Sequence, residues 1–198
     1  MTVYNGIYDR NNTLTGGVGN DVFNGGQLAD TLTGNAGNDV FNPGDGADLI
    51  YGGDGADKVW AGYGNDVVYG GNGNDIISAG NGRTTAAMVM KFYGDAGNDS
   101  ITGGLGNDSL YGGADQDTIN ASSGNDLVYG DAGNDSLLGG GGNDTVYGGA
   151  DNDIVKGDND LFKQGCCTAR PGYDEASGLG APVFPQLAIS VPAPGGAS

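Results

Sequence analysis

A nine-residue repeat dominates this chain of 198 residues. Written in nines from Gly16, the first seven units read GGVGNDVFN, GGQLADTLT, GNAGNDVFN, PGDGADLIY, GGDGADKVW, AGYGNDVVY and GGNGNDIIS. An irregular eighth unit spans residues 79–93, and seven units follow it: GDAGNDSIT, GGLGNDSLY, GGADQDTIN, ASSGNDLVY, GDAGNDSLL, GGGGNDTVY and GGADNDIVK. A unit this short cannot bury its own apolar residue, so the units must stack on one another.

Two positions of the unit hold the same type of residue along nearly the whole array. Position eight is apolar in all fifteen units, from Phe23 through Phe92 to Val155. Position six is Asp in fourteen of them, and these residues are the candidate metal ligands: Asp21, Asp30, Asp39, Asp48, Asp57, Asp66, Asp75, Asp99, Asp108, Asp117, Asp126, Asp135, Asp144 and Asp153. Fourteen equivalent acidic positions suit repeated metal binding better than one active centre.

The two halves of each unit predict a turn followed by a short strand. Positions one to six hold mostly Gly, Asn and Asp, which accept turn and left-handed conformations. Positions seven to nine are β-prone, and the central apolar side chain points away from its two neighbours. Two units close one coil, and successive coils should lie about 4.8 Å apart. The expected fold is an all-β solenoid whose narrow core is too thin to hold it unaided.

The acidic residues suit a hard cation. The chain has 24 Asp but only one Glu, Glu175, together with 43 Gly. Asp carboxylates and turn carbonyls from adjacent coils can surround Ca²⁺ with the roughly six to eight oxygens that it prefers. The chain lacks His and has no repeated Cys, which argues against zinc or copper. Without metal the rows of Asp repel one another, so metal binding and folding should be one event.

The units resemble GGxGxDxUx, the nonapeptide of the RTX (haemolysin-type) calcium-binding proteins, over about residues 16–156. The resemblance implies a right-handed parallel β-roll, with two nonapeptides per coil and calcium ions in two rows. It also implies type I-like secretion, in which the chain folds on meeting extracellular calcium. Residues 1–10 lack the basic start and apolar run of a signal peptide, so export by the general pathway is not expected.

Neighbouring aspartates bound the number of ions. If each ion lies between two loops one coil apart, five Asp pairs fall in units 1–7 and five in units 9–15. Asp75 with Asp99 adds another pair if unit 8 stays in register, which gives up to about eleven Ca²⁺ ions. Weaker or empty sites are expected at irregular loops, which contain Leu28, Asp115, Asp151 and the Ala121-Ser-Ser opening of unit 12.

Unit 8 carries six additional residues. Its segment 83–91 lacks the metal Asp and contains Met88, Val89 and Met90, which suggests either an apolar contact loop or a tolerated surface insertion. The tyrosines at position nine indicate that the roll continues through it, because all of them fall in even-numbered units only if unit 8 counts once. They are Tyr51, Tyr69, Tyr93, Tyr111, Tyr129 and Tyr147. They should stack on one outward face, which either stabilises its sheet or forms an adhesive or ligand-binding face for a polymer, a surface or a second roll.

The last part of the chain contains no complete unit. Residues 159–187 resemble the C-terminal end of the sedolisin-type serine-carboxyl peptidases. That resemblance implies a further calcium site, formed by Asp160, Leu161, Arg170, Gly172 and Asp174. The Gly-Thr-Ser nucleophile segment and the acid–base pair of that family are absent from the sequence, so no catalytic residues are expected. An alternative function is therefore a non-catalytic appendage or remnant of a secreted peptidase.

The expected organisation is a cap or partial repeat at 1–15, a roll at 16–156 and a tail at 157–198. The net charge of −18, with only seven Lys and Arg, argues against nucleic acid as a partner. No stretch is apolar enough to span a membrane. The expected function is calcium binding by a non-catalytic module that is secreted or exposed outside the cell.

Overall fold

The computed structural model describes residues 1–80 and 85–157, and the backbone of residues 174–175. Every regular element in these residues is a β-strand. The strands are β1 (Val3–Asn5), β2 (Thr13–Thr15), β3 (Val22–Gly26), β4 (Thr31–Ala36), β5 (Val40–Asp45), β6 (Leu49–Asp54), β7 (Lys58–Trp60), β8 (Gly62–Tyr63), β9 (Val67–Asn72), β10 (Ile76–Ser78), β11 (Lys91–Ala96), β12 (Ser100–Leu105), β13 (Ser109–Ala114), β14 (Thr118–Ser123), β15 (Leu127–Ala132), β16 (Ser136–Leu138), β17 (Thr145–Ala150), β18 (Asp153–Lys156) and β19 (Asp174–Glu175).

The strands form two parallel sheets, to which consecutive units contribute alternately. Sheet I holds the odd-numbered units in the order β1-β3-β5-β7-β10-β12-β14-β16-β18-β19, with β8 beside β5. Sheet II holds the even-numbered units in the order β17-β15-β13-β11-β9-β6-β4-β2. One strand of each sheet makes one coil. The predicted all-β, right-handed parallel β-roll with two nonapeptides per coil is confirmed.

The register advances by two units from coil to coil. Val22 of β3 lies opposite Val40 of β5, and Leu32 of β4 lies opposite Ile50 of β6. Across unit 8 the step grows, because Val67 of β9 pairs with Lys91 of β11. The strand at the end of unit 8 therefore joins the ladder in the same register despite the six additional residues. The prediction that the roll continues through the insertion is confirmed.

The core consists mainly of one file of position-eight side chains between the two sheets. All fifteen are buried, with 0–7% of their surface exposed. They are Phe23, Leu32, Phe41, Ile50, Val59, Val68, Ile77, Phe92, Ile101, Leu110, Ile119, Val128, Leu137, Val146 and Val155. With one large apolar side chain per nine residues, the file buries little hydrophobic surface for the length of backbone that it orders.

Residues 1–15 form a further coil of the same roll. Tyr4 of β1 lies opposite Phe23 with the rings stacked at 4.9 Å, and Leu14 of β2 lies opposite Leu32. Both side chains pack against the core file. The step from Tyr4 to Phe23 is one residue longer than two units, so the loop between β1 and β2 contains one residue more than a repeat turn.

Candidate metal centre

The fourteen aspartates predicted as metal ligands lie in two rows along the turns of the roll. The odd row follows sheet I and contains Asp21, Asp39, Asp57, Asp75, Asp99, Asp117, Asp135 and Asp153. The even row follows sheet II and contains Asp30, Asp48, Asp66, Asp108, Asp126 and Asp144. Every one of these carboxylates belongs to a residue that is only 0–4% exposed. Carboxylates at this depth need a partner for their charge.

One oxygen of each carboxylate links two coils. In the odd row, the backbone N–H of each Asp donates to Oδ1 of the Asp one coil further on, at 2.7–3.0 Å. The bond from Asp75 to Asp99 spans the insertion at 2.7 Å. The even row makes the same bonds from Asp30 to Asp66 and from Asp108 to Asp144. The position-six aspartates are thus hydrogen-bonded ladders as well as candidate ligands.

The second carboxylate oxygen, Oδ2, has no hydrogen-bond partner among the described residues in most of these aspartates. Within residues 1–80 and 85–157, Oδ2 is buried without a hydrogen-bond partner in Asp30, Asp39, Asp48, Asp57, Asp66, Asp75, Asp99, Asp108, Asp117, Asp126 and Asp135. Native proteins rarely leave a buried acceptor unsatisfied, and the cost is largest for a charged one. A regular series of such oxygens fits a ligand that binds repeatedly along each row.

In the units that begin with Gly, a backbone carbonyl oxygen lies beside the carboxylate oxygen that lacks a partner. A Cβ added to Gly34 would clash with Oδ2 of Asp39 and with the carbonyl oxygen of Gly52 on the next coil. A Cβ on Gly94 would meet Oδ2 of Asp99 and the carbonyl oxygen of Gly112 in the same way. Both oxygens are acceptors, so a cation or a hydrogen-bond donor must lie between them to satisfy the two together. The arrangement fits a hard, oxygen-seeking cation.

The two rows differ at position one of the unit, whose Cβ would fill the space between the carboxylate Oδ2 and the carbonyl oxygen. All odd-numbered units begin with Gly, whereas four even-numbered units begin with Pro43, Ala61, Ala79 and Ala121. The three alanines are buried in the core. The odd row is therefore the more open and the more regular of the two.

Burial works against the negative charge of these groups. It raises the pKa of Asp66 and Asp75 to about 7, and that of Asp48 to about 6. The backbone hydrogen bond from the preceding Asp opposes part of this effect of burial on the pKa, and the charge of that Asp raises each pKa further. At the start of the odd row, hydrogen bonds from the Gly17 and Thr2 backbone lower the pKa of Asp21 instead. The interior of each row thus favours a bound proton or cation.

Side chains alone do not complete a coordination shell. In the part of the chain that the structure describes, no three His, Cys, Asp or Glu side chains converge on one point. A cation in either row would take one or two carboxylates and the remaining oxygens from the Gly-rich backbone. This matches the two-Asp arrangement predicted from the sequence, and Ca²⁺ tolerates such mixed, flexible coordination.

A family model for the RTX calcium-binding nonapeptide repeat (4 copies) matches residues 8–32, 29–50, 51–86, 93–128 and 129–160. The matches cover more than half of the chain and all of the aspartate ladder. The chain belongs to this RTX family. None of the curated proteins compared with the chain matches it. The nonapeptides of this RTX protein are calcium-binding repeats, and the buried aspartate ladder fits that function.

Family membership also bears on activity and location. RTX β-rolls are typically non-catalytic, and RTX repeat proteins are typically secreted. Among the described residues, no helix is both long and apolar enough to cross a bilayer. The residues predicted from the sedolisin resemblance, Asp160, Leu161, Arg170 and Gly172, lie outside the described residues, and for Asp174 only the backbone is described. That calcium site stays a prediction.

Two of the irregular RTX loops, those of Asp115 and Asp151, keep a positive φ at position four, but a smaller one than the 125–153° of the glycines at that position in the regular loops. Asp115 and Asp151 stand where Gly is usual and adopt left-handed backbone angles, with φ of 78° and 73°. Asp tolerates this region better than most residues because its short side chain bonds locally. The backbone of these loops therefore differs from that of the regular loops, and the weaker binding predicted for them stays a prediction.

Sequence reasoning missed the residue that replaces Asp in unit 8. Met90 takes the position-six place, since its backbone N–H donates to Oδ1 of Asp108 at 2.8 Å. It is 1% exposed, and Met88 packs against the core. The apolar contact loop considered for 83–91 is thus wrong for these two side chains, which face inward. Counting back from Phe92 and Tyr93 would have placed Met90 in the even row.

A second ladder was also missed. At position five, the backbone N–H of one coil donates to the side-chain oxygen of Asn one coil earlier, at 2.8–3.0 Å. Asn38 accepts from Ala56 and donates to Asn20 in this way. The recurring Asn-Asp pair in the sequence was the available signal. This exposed ladder joins the turns without any metal.

The six position-nine tyrosines stack on sheet II as predicted. Neighbouring rings lie 4.7–5.2 Å apart and within 4–13° of parallel, in an unbroken series from Tyr51 to Tyr147. Burial, followed by its tyrosine neighbours and Asp131, raises the pKa of Tyr111. The geometry of this tyrosine ladder is confirmed, and its role as a contact face stays a prediction.

Proposed function

We propose that the position-six aspartates bind Ca²⁺ in two rows and that ion binding drives folding of the roll. The observation that carries the proposal is the series of buried Oδ2 atoms without hydrogen-bond partners, which lie beside a backbone carbonyl of the next coil wherever the unit begins with Gly. An ion between two coils would neutralise two carboxylates and attach one coil to the next. The thin apolar core then gains a second source of cohesion along both turn edges.

The rows give a specific number of sites. The odd row has seven neighbouring Asp pairs, and the even row has four because Met90 interrupts it between Asp66 and Asp108. The proposed capacity is therefore about eleven ions. Asp57 belongs to two pairs, Asp66 to one, and the exposed Asp54 to none.

Counting bound ions tests this assignment. In calcium-saturated full-length protein, native mass spectrometry should show about two fewer ions for Asp57→Asn and about one fewer for Asp66→Asn, because Asn ligates Ca²⁺ more weakly than a carboxylate. Asp54→Asn removes the same charge from an exposed side chain that accepts from Asn72, and its count should equal that of the wild type. An unchanged count in Asp57→Asn would rule out the row assignment.

We propose further that the roll acts outside the cell as a non-catalytic module. Extracellular calcium modules bind with dissociation constants of roughly 0.1–1 mM. A chain whose folding needs such concentrations would leave the cell unfolded, as type I-like export requires, and fold afterwards. The tyrosine ladder is proposed as an adhesive or ligand-binding face on that module, because its stacked rings form a regular aromatic surface on sheet II.

A further inference from the structure

The loop between β1 and β2 holds a side-chain amide where the rest of the even row holds a carboxylate. Asn12 lies one coil before Asp30 and is 9% exposed. Its backbone N–H donates to Oδ1 of Asp30 at 2.6 Å, and the same bond joins Asp30 to Asp48 in the next coil at 2.7 Å. In its geometry, Asn12 is therefore the first member of the even row.

The contacts of Asn12 fix the orientation of its amide. Its Oδ1 accepts the backbone N–H of Ile7 at 2.7 Å. Its Nδ2 lies 2.8–3.3 Å from four oxygens, namely the carbonyls of Ile7, Arg10 and Gly25 and Oδ1 of Asp30. A side-chain amide has only two hydrogens to donate. Four oxygens around one point form an environment that a hard cation satisfies better than an amide does.

The next coil shows what the amide nitrogen replaces. A Cβ on Gly25 would clash with Oδ2 of Asp30 and with the carbonyl oxygen of Pro43. At the equivalent place one coil earlier, a Cβ on Gly6 would clash with the carbonyl oxygen of Gly25 and lie 2.6 Å from Nδ2 of Asn12. The first coil thus places a donor where the second coil places a carboxylate oxygen that lacks a donor.

We propose that the oxygens of Ile7, Arg10, Gly25 and Asp30 form a latent calcium site that is filled by the chain's own Asn12 amide. The amide hydrogens supply the positive charge that Ca²⁺ supplies further along the row. The first coil therefore closes without metal and ends the even row at its N-terminal side. This inference rests on calcium binding by the rows themselves.

The substitution Asn12→Asp tests it because it exchanges the donor for a second acceptor of nearly the same shape. In saturating Ca²⁺, the full-length variant should bind one ion more than the wild type, as counted by native mass spectrometry. Its thermal midpoint should also rise more steeply with calcium concentration. The control is Asn11→Asp, which adds the same charge at the adjacent exposed residue and should keep the wild-type count.

Equal counts for Asn12→Asp and Asn11→Asp would overturn the latent site, and so would failure of Asn12→Asp to fold in saturating calcium. A wild-type protein that binds no calcium would instead overturn the proposed function. Asn12→Ala gives an independent measurement by hydrogen exchange. In this variant the backbone N–H groups of Ile7 and of residue 12 should lose protection, while those of Asp117 and Asp135 should keep theirs. Unchanged protection of the Ile7 N–H would contradict the proposal.

Discussion

An aspartate at position six performs two tasks that other side chains cannot combine. Its Oδ1 accepts the backbone N–H of the preceding coil, and its Oδ2 stays available beside a carbonyl oxygen of the next one. An Asn can still accept a backbone N–H through its Oδ1, as Asn12 does from Ile7, but it presents a donor to the surrounding oxygens. This division of roles accounts for Asp at fourteen position-six places and Glu at none, because the longer Glu side chain would not hold both oxygens in place.

The raised pKa values predict an unusual response to acid. In the folded metal-free roll the pKa of Asp66, Asp99 and Asp126 is about 7, against an ordinary value of 3.8. Between these pH values the folded chain binds more protons than the unfolded chain, so stability rises as pH falls. In chelator, the far-UV β-signal should therefore grow as the solution is acidified from about pH 7 towards pH 4.

Calcium should reverse this dependence, because protons compete with Ca²⁺ for the same carboxylates. The calcium concentration at half-folding should increase as pH falls over the same range. A metal-free β-signal that declines or stays constant during acidification would show that the buried aspartates do not oppose folding.

At the scale of single residues, positions six and eight could be predicted because one residue type recurs at a fixed spacing. Met90 and Asn12 could not be found in that way, because each stands where the recurring Asp is absent. Asn12 also follows a loop with one additional residue, so a frame that begins at Gly16 does not reach it. Met90 can be placed only by counting back from Phe92, and the place of Asn12 depends on a hydrogen bond to Asp30 across coils, which the sequence does not display.

Among the elements, the strand is the simplest to foresee and the turn the hardest. The alternation at positions seven to nine fixes which side chain faces inward, and the tyrosines fix the register across unit 8. The sequence did not reveal that most strands continue into the Gly-rich positions, as β6 does from Leu49 to Asp54. These extended parts of the strands consist largely of glycines, which have no side chain to form a recognisable strand pattern. They need glycine because the coils lie close together there: a Cβ on Gly53 would clash with the carbonyl oxygen of Asn35.

The tyrosine ladder allows its two roles to be separated. The double variant Tyr69→Thr/Tyr111→Thr interrupts the stack but keeps β-prone residues on sheet II. If the ladder is a contact face, calcium-induced folding should be retained while retention on insoluble polysaccharide and self-association in sedimentation velocity are lost. Trp60→Thr, which removes an aromatic side chain from position nine of sheet I, is the control. Unchanged retention and self-association would contradict a contact role.

On the scale of the whole molecule, the roll combines a high net charge with a narrow core. The chain carries a formal charge of −18, and its buried rows concentrate much of that charge along two lines. Self-repulsion of this kind opposes the compact state. The exposed Asn ladder and the tyrosine ladder oppose the repulsion, but neither removes charge. Binding of about eleven divalent ions would neutralise this charge, so folding and calcium binding are expected to occur together.

Titration of calcium into chelator-treated protein at neutral pH, followed by far-UV circular dichroism, tests this coupling most directly. We expect a spectrum without β-structure in chelator and a steep rise of the β-signal at about 0.1–1 mM Ca²⁺. Mg²⁺ at the same concentrations should not substitute, since it demands stricter geometry and keeps its water. A β-signal that is already complete in chelator would contradict the account, because the ladders and the core would then suffice without metal.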